Sequence, residues 1–170
     1  MSAAYLWTAD GFKPDAYQAL DDLSDVTDAE AVLLPFHVWV EKSEILLAQT
    51  NRKLGVRVGS GEDVTLLFQS LHRLSLIALD FPAFNDGRSY SKAELLRAQG
   101  FKGELRAVGD VLIDQAALML RAGFDTLEVH HLVTVKRLQE GALVDTPHYY
   151  QPGSGSVPIK GEFSWRRFRE

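Results

Sequence analysis

The sequence predicts an α/β fold: five strand–helix units forming a parallel sheet. Three observations carry that expectation. From Ala31 onward, short apolar runs alternate with longer segments of helical period. The order strand then helix, repeated five times, is the pattern of right-handed βαβ crossovers. The joints between segments also have helix-end chemistry, with Ser91 and Glu94 spaced as a capping box, Asp110 placed to cap the helix it begins, and Gly123 where a helix would stop.

The expected strands, in chain order, are AVLLP at 31–35, GVRV at 55–58, LSLIALD at 74–80, ELRAV at 104–108 and DTLEVH at 125–130. Helices are expected over 37–52, 62–73, 90–99, 110–122 and 134–140. Two architectures fit: an open doubly wound sheet, or a curved half-barrel of the TIM type with its helices outside. The stretch from Glu104 to Val129 resembles the strand–helix–Gly–strand repeat of phosphate-binding barrels, a likeness of fold alone. The first thirty residues hold Asp10, Asp15, Asp21, Asp22, Asp25, Asp28 and Glu30 without regular apolar spacing. They read as an acidic extension, 31–150 as a single domain, and 151–170 as a tail in which Phe163, Trp165 and Phe168 interleave with Arg166, Arg167 and Arg169.

Composition narrows the function. At 170 residues, 46% hydrophobic and 24% charged, the chain is the size of one ordinary domain. Its formal charge of −5 speaks against a nucleic-acid partner, which would need clustered cations. No apolar run approaches the roughly 20 residues of a membrane helix, and the start has no signal-peptide pattern, so a cytoplasmic protein is expected. With no cysteine, the chain has neither a thiol nucleophile nor thiolate ligands of its own, and any redox chemistry would need a borrowed cofactor, of which the sequence names none. The glycine-rich turn GVRVGSGEDV has Val64 where a dinucleotide fingerprint needs its third glycine, and lacks the end of a P-loop. Adjacent His130 and His131 point to opposite faces of a strand and chelate poorly, so no metal site is expected.

The informative residues are charges on strands that should be buried on both faces. Glu104, Arg106 and Val108 share one face of their strand; Asp80 and Glu128 belong to the strands expected beside it. In a sequentially ordered sheet, Arg106 would sit between the carboxylates of Asp80 and Glu128. Such a set reads equally as a structural ion-pair triad and as a ligand clamp at the carboxyl ends of the strands. The following loop, FPAFNDGRSYS, adds Asp86, Arg88 and Tyr90, of which Asp86 has a turn role as well. Arg88, Tyr90 and Arg106, with Arg97 as a further cation, would present donors to a small oxyanion. Asp110, Asp114 and Gln115 open the next helix; the two aspartates are the candidate acid/base pair.

The same stretch carries a family resemblance. F-P-x-F-x-D-G-R-x-Y-S at Phe81–Ser91, L-L-R at Leu95–Arg97, G-E-L-R-A-V-G-D-V-L-x-D-Q at Gly103–Gln115 and G-F-D at Gly123–Asp125 closely resemble a bacterial family described as oxidoreductases involved in sulfite reduction. GVRV upstream and YYQPG downstream extend the likeness over most of 31–153. Many relatives have Arg-Cys-Gly-Phe-Asp where this chain has Arg121, Ala122 and Gly123, so a thiol there is not essential. The resemblance implies an accessory of assimilatory sulfite reduction, with a siroheme-type sulfite or nitrite reductase as partner and a small anion as ligand. Two other classes stand beside it: a free-standing enzyme on a small phosphorylated or carboxylated metabolite, with an Asp acid/base and an Arg clamp, and a structural interaction module. The exposed edge or open inner face of a half-barrel would suit a homodimer.

Overall fold

In the computed structural model, residues 5–22, 29–49 and 52–143 are described. The basic aromatic tail at 151–170 lies outside them. The strands are β1 (Tyr5–Thr8), β2 (Gly11–Lys13), β3 (Gln18–Ala19), β4 (Ala31–Pro35), β5 (Lys53–Val58), β6 (Leu74–Phe81), β7 (Glu104–Gly109) and β8 (Thr126–Val129). The helices are α1 (Phe36–Gln49), a 3₁₀ helix (Val64–Arg73), α2 (Arg88–Ala98), α3 (Ile113–Ala122) and α4 (Leu132–Gln139).

All eight strands belong to one curled half-barrel sheet, in the order β2-β1-β8-β7-β6-β5-β4-β3. Neighbours from β3 to β8 run parallel, while β1 is antiparallel to both β2 and β8. The expected five-stranded, purely parallel sheet is therefore corrected to a mixed sheet of eight. The three additional strands come from the first thirty residues, where Ala9-Asp10 turns a hairpin between the alternating YLWT and GFK. The doubly wound alternative falls to the strand order, which never reverses from β3 to β8 and so puts successive crossovers on the same face.

Side-chain alternation divides the core accordingly. Val56, Ile77, Leu79, Leu105, Leu127 and their outward neighbours pack with Trp39, Leu67, Leu96, Met119 and Val135 of the helices. On the inner face, Leu33, Leu76, Ala78 and Val108 form a separate small cluster, against which Tyr17 packs.

Tyr17 belongs to a strap. Only Pro14–Tyr17 connect β2 at one edge of the sheet to β3 at the other. The five Cα steps from Lys13 to Gln18 span at most about 19 Å. In a flat sheet the two edge strands would be about 34 Å apart, at roughly 4.8 Å per strand. The curl is thus required by the chain itself, and the strap crosses the concave side.

Helix ends differ from expectation in two places. α2 starts at Arg88 after Gly87, so Ser91 lies inside the helix and makes no capping box; Asp86 instead accepts from the Arg88 N–H at 3.2 Å. α3 starts at Ile113, and Asp110 stands ahead of it on the rim, its N–H bonded to the Phe81 carbonyl at 2.7 Å. Gly123 does end α3, with a φ of 110°.

Gly109, at the end of β7, has a φ of +96°, and a Cβ there would lie 2.4 Å from the Phe81 carbonyl oxygen. Since the obstacle is backbone and the conformation is itself unfavourable for an L-residue, Gly109→Ala should lower stability by at least about 2 kcal/mol. Gly61→Ala, with open space around its Cβ, should change it by less than about 0.5 kcal/mol. Urea unfolding midpoints of the two variants check this difference.

Candidate functional site

The carboxyl ends of β5 to β8 deliver four loops to one rim, and side chains tie the first three together. Arg88 donates through Nε and Nη2 to Asp86 and through Nη2 to Ser60 Oγ at 2.9 Å, linking the loops after β6 and β5. Lys92 on α2 donates to the carbonyls of Gly59 and Glu62 at 2.7 and 2.6 Å. Gln115 on α3 donates to the Phe84 carbonyl at 2.9 Å, joining the loops after β7 and β6. The hydrogen bonds from Arg88 hold the Asp86 carboxyl well below the usual carboxylate range. Arg57, which reasoning from sequence passed over, projects from β5 and pairs with Asp80 at 3.0 Å.

Around these ties the rim is apolar as well as charged. Phe84 is 54% exposed, and at the start of α4 Leu132 and Val133 are 67% and 60% exposed. Asp110 and Asp114 are exposed on the same rim.

The candidate residues do not form one cluster. Asp80 is bound by Arg57, and Glu128 meets His130 Nε2 at 3.0 Å; neither pairs with Arg106. Register gives the reason: Arg106 lies level with Ala78 and Thr126, one pleat below Asp80 and Glu128. Its guanidinium turns toward the strap instead. Tyr90 packs on the helix side, edge-to-face with Phe81 at 5.1 Å between ring centroids, and burial pushes its phenol up to about 12. The expected corner of Arg88, Tyr90 and Arg106 is thus spread over the rim, the helical layer and the inner face.

Arg97 sits at the opposite end of the sheet, with its guanidinium taken up by the chain. Nη1 donates to the Phe101 and Gly103 carbonyls, both at 2.9 Å; Nε and Nη2 donate to the Gly123 carbonyl at 3.0 and 2.8 Å, and Nη2 also to Asp125. Asp125 accepts in addition from the Leu105 N–H at 2.8 Å. The clamp fastens the end of α2 to the starts of β7 and β8.

The inner face carries a second polar constellation. Arg106, 1% exposed, donates from Nη1 and Nη2 to the two oxygens of Asp15 at 2.7 and 3.0 Å, and from Nε to Glu104 at 3.1 Å. Burial works against its charge, but hydrogen bonding and attraction from Asp15 and Glu104 outweigh it and raise its pKa. The Tyr17 ring lies 5.6 Å from the guanidinium carbon, Lys13 reaches Glu104 at 3.3 Å, and the Tyr17 hydroxyl donates to Ser75 Oγ at 3.0 Å. Burial, chiefly, raises the Tyr17 phenol. Asp15, Lys13 and Tyr17 are missed by an analysis that treats the first thirty residues as solvated loop; the hairpin signal Asp10-Gly11 was the cue that the segment is folded.

Among the described residues, no three His, Asp or Glu side chains are gathered to hold a metal, and no helix is long and apolar enough to cross a membrane.

Fold and sites together define an α/β half-barrel with a tied loop rim and a charged, strap-covered interior. The chain belongs to the family of bacterial proteins of unknown function DUF934, whose model matches residues 55–159. No curated protein and no solved structure matches the chain.

Because Arg97 satisfies three backbone carbonyls and a carboxylate, its role is read from stability. Arg97→Lys keeps the charge but loses the fork, and should lower the unfolding free energy by about 1–3 kcal/mol in urea titrations.

Proposed function

We propose that the protein is an accessory of assimilatory sulfite reduction that docks on a siroheme-type reductase through the rim at the carboxyl ends of β5 to β8. The pathway rests on the family resemblance of the Phe81–Ser91 and Gly103–Gln115 motifs. The observation that carries the docking surface is the make-up of that rim: exposed Phe84, Leu132 and Val133 beside the exposed guanidinium groups of Arg57 and Arg88. Aromatic side chains and arginines are enriched in protein interfaces, so Phe84 and the arginines are the expected anchors, with Leu132 and Val133 adding apolar area around them. The cross-loop ties from Arg88, Lys92 and Gln115 support the same reading, because a surface ordered in advance loses less freedom on binding.

In this reading the protein carries no electrons. It positions or stabilises a partner that does, which accords with a chain lacking cysteine.

Purified protein should form a complex with its host's sulfite reductase, measured by calorimetry or sedimentation. Phe84→Asp combined with Arg88→Glu should weaken it by at least about tenfold, the scale of a single hot-spot loss. Absence of a complex with the unmodified protein, or equal affinity of the double variant, overturns the proposal.

A further inference from the structure

The Asp15–Arg106 pair has the geometry of a ligand in a site. Arg106 is almost wholly buried at the centre of the concave face and offers two parallel N–H groups, which the Asp15 carboxylate meets fork to fork. Asp15 comes from outside the barrel wall, on the four-residue strap, and Pro14, Asp15 and Ala16 are themselves exposed. A buried cation is therefore neutralised by a carboxylate that is tethered, solvent-accessible and replaceable.

One further observation points to a ligand, and another to a way in. Thr126, beside Arg106 in register on the inner face, is 0% exposed, and its hydroxyl has no hydrogen-bond partner. A buried donor without an acceptor is costly, and one standing beside Arg106 is available to the oxygen of an anion held there. A cleft of about 140 Å³, lined by Tyr5, Leu6, Phe12, Lys13, Pro14, Asp15 and Glu128, opens against the strap and reaches the pair from the Asp15 side. By the same measure one water needs about 10–15 Å³, so a small ion can enter the cleft as far as Asp15.

We propose that Arg106 and Thr126 form a binding site for a small inorganic oxyanion with three or more oxygens, and that Asp15 fills it in the free protein as a tethered stand-in. Two oxygens of the anion replace those of Asp15 on the guanidinium, and a third accepts from Thr126 Oγ1, which the Asp15 carboxylate leaves without a partner. The anion brings at least the one negative charge that the carboxylate takes away, so Arg106 is never left unpaired. It loosens the strap, which keeps the hydrogen bonds of Lys13 to Glu104 and Tyr17 to Ser75 and the packing of Tyr17 on the inner-face cluster. This site lies beneath the strap and is independent of docking at the rim.

The test is calorimetric titration of Asp15→Asn, which keeps the shape of the strap but removes the competing charge, with sulfite, sulfate, phosphate and acetate at low ionic strength. At least one of the first three anions should bind saturably, at least tenfold tighter than to the unmodified protein. Adding Arg106→Met should abolish that binding, and adding Thr126→Val should weaken it severalfold. Binding no tighter than to the unmodified protein, or surviving Arg106→Met, overturns the site; acetate binding as tightly as the others overturns the assigned class of ligand. Should Asp15→Asn fail to fold, amide exchange on the unmodified protein decides. A saturating anion must speed exchange at Ala16 and Tyr17, and unchanged or slower exchange overturns the proposal.

Discussion

A tether of four residues governs this molecule. Because Pro14–Tyr17 must join the two outermost strands of an eight-stranded sheet, the sheet cannot lie flat, and its edges are drawn toward each other across the concave side. Curvature of that degree leaves little volume inside. Leu33, Leu76, Ala78 and Val108 with Tyr17 fill part of it, and the Arg106 set occupies another. A full (βα)₈ barrel closes its interior with strands on every side. Here the missing wall is a short extended segment, and electrostatics does part of the work that further strands would do.

The parallel half of the fold was legible from the alternation of apolar runs with helical periods, while of the helix-end signals only Gly123 stood where it was expected. β4 to β8 lie within two residues of the expected runs, and Gly123 ends α3 as its type demands. β1 to β3 were not legible as strands because they are short, are separated by turns and stand among acidic residues, Asp10, Asp15, Asp21 and Asp22, that suggest solvated chain. Their place in the sheet is decided by tertiary pairing, β1 against β8 across more than a hundred residues of sequence, which no local pattern reports.

The candidate site was legible in part. Charges on buried strands did mark Arg106 as unusual, but alternation gives only the face of a strand and not the height of its neighbours. Register put Arg106 level with Ala78 and Thr126, so its counter-charges came from its own strand and the strap, while Asp80 turned to Arg57. Much of the family pattern is bound up in architecture. Leu-Leu-Arg and Gly-Phe-Asp meet in the Arg97 clamp, Gly109 makes room for the Phe81 carbonyl, and Gln115 holds the Phe84 loop.

Why the interior should hold an arginine is a question of exchange rather than of stability. A buried ion pair stabilises a fold no better than apolar side chains of similar volume, because desolvation consumes most of the Coulombic gain. A leucine or methionine at 106 would fill its share of the concave face and need no carboxylate from the strap. What an apolar contact cannot do is trade partners, since nothing small and soluble competes for it. A guanidinium gripping a tethered carboxylate can, because any anion of matching geometry is a rival for the same two N–H groups. The strap that forces the sheet to curl is thus held at its middle by the kind of bond that solutes can replace, and the bonds at its ends, from Lys13 and Tyr17, are single and partly exposed.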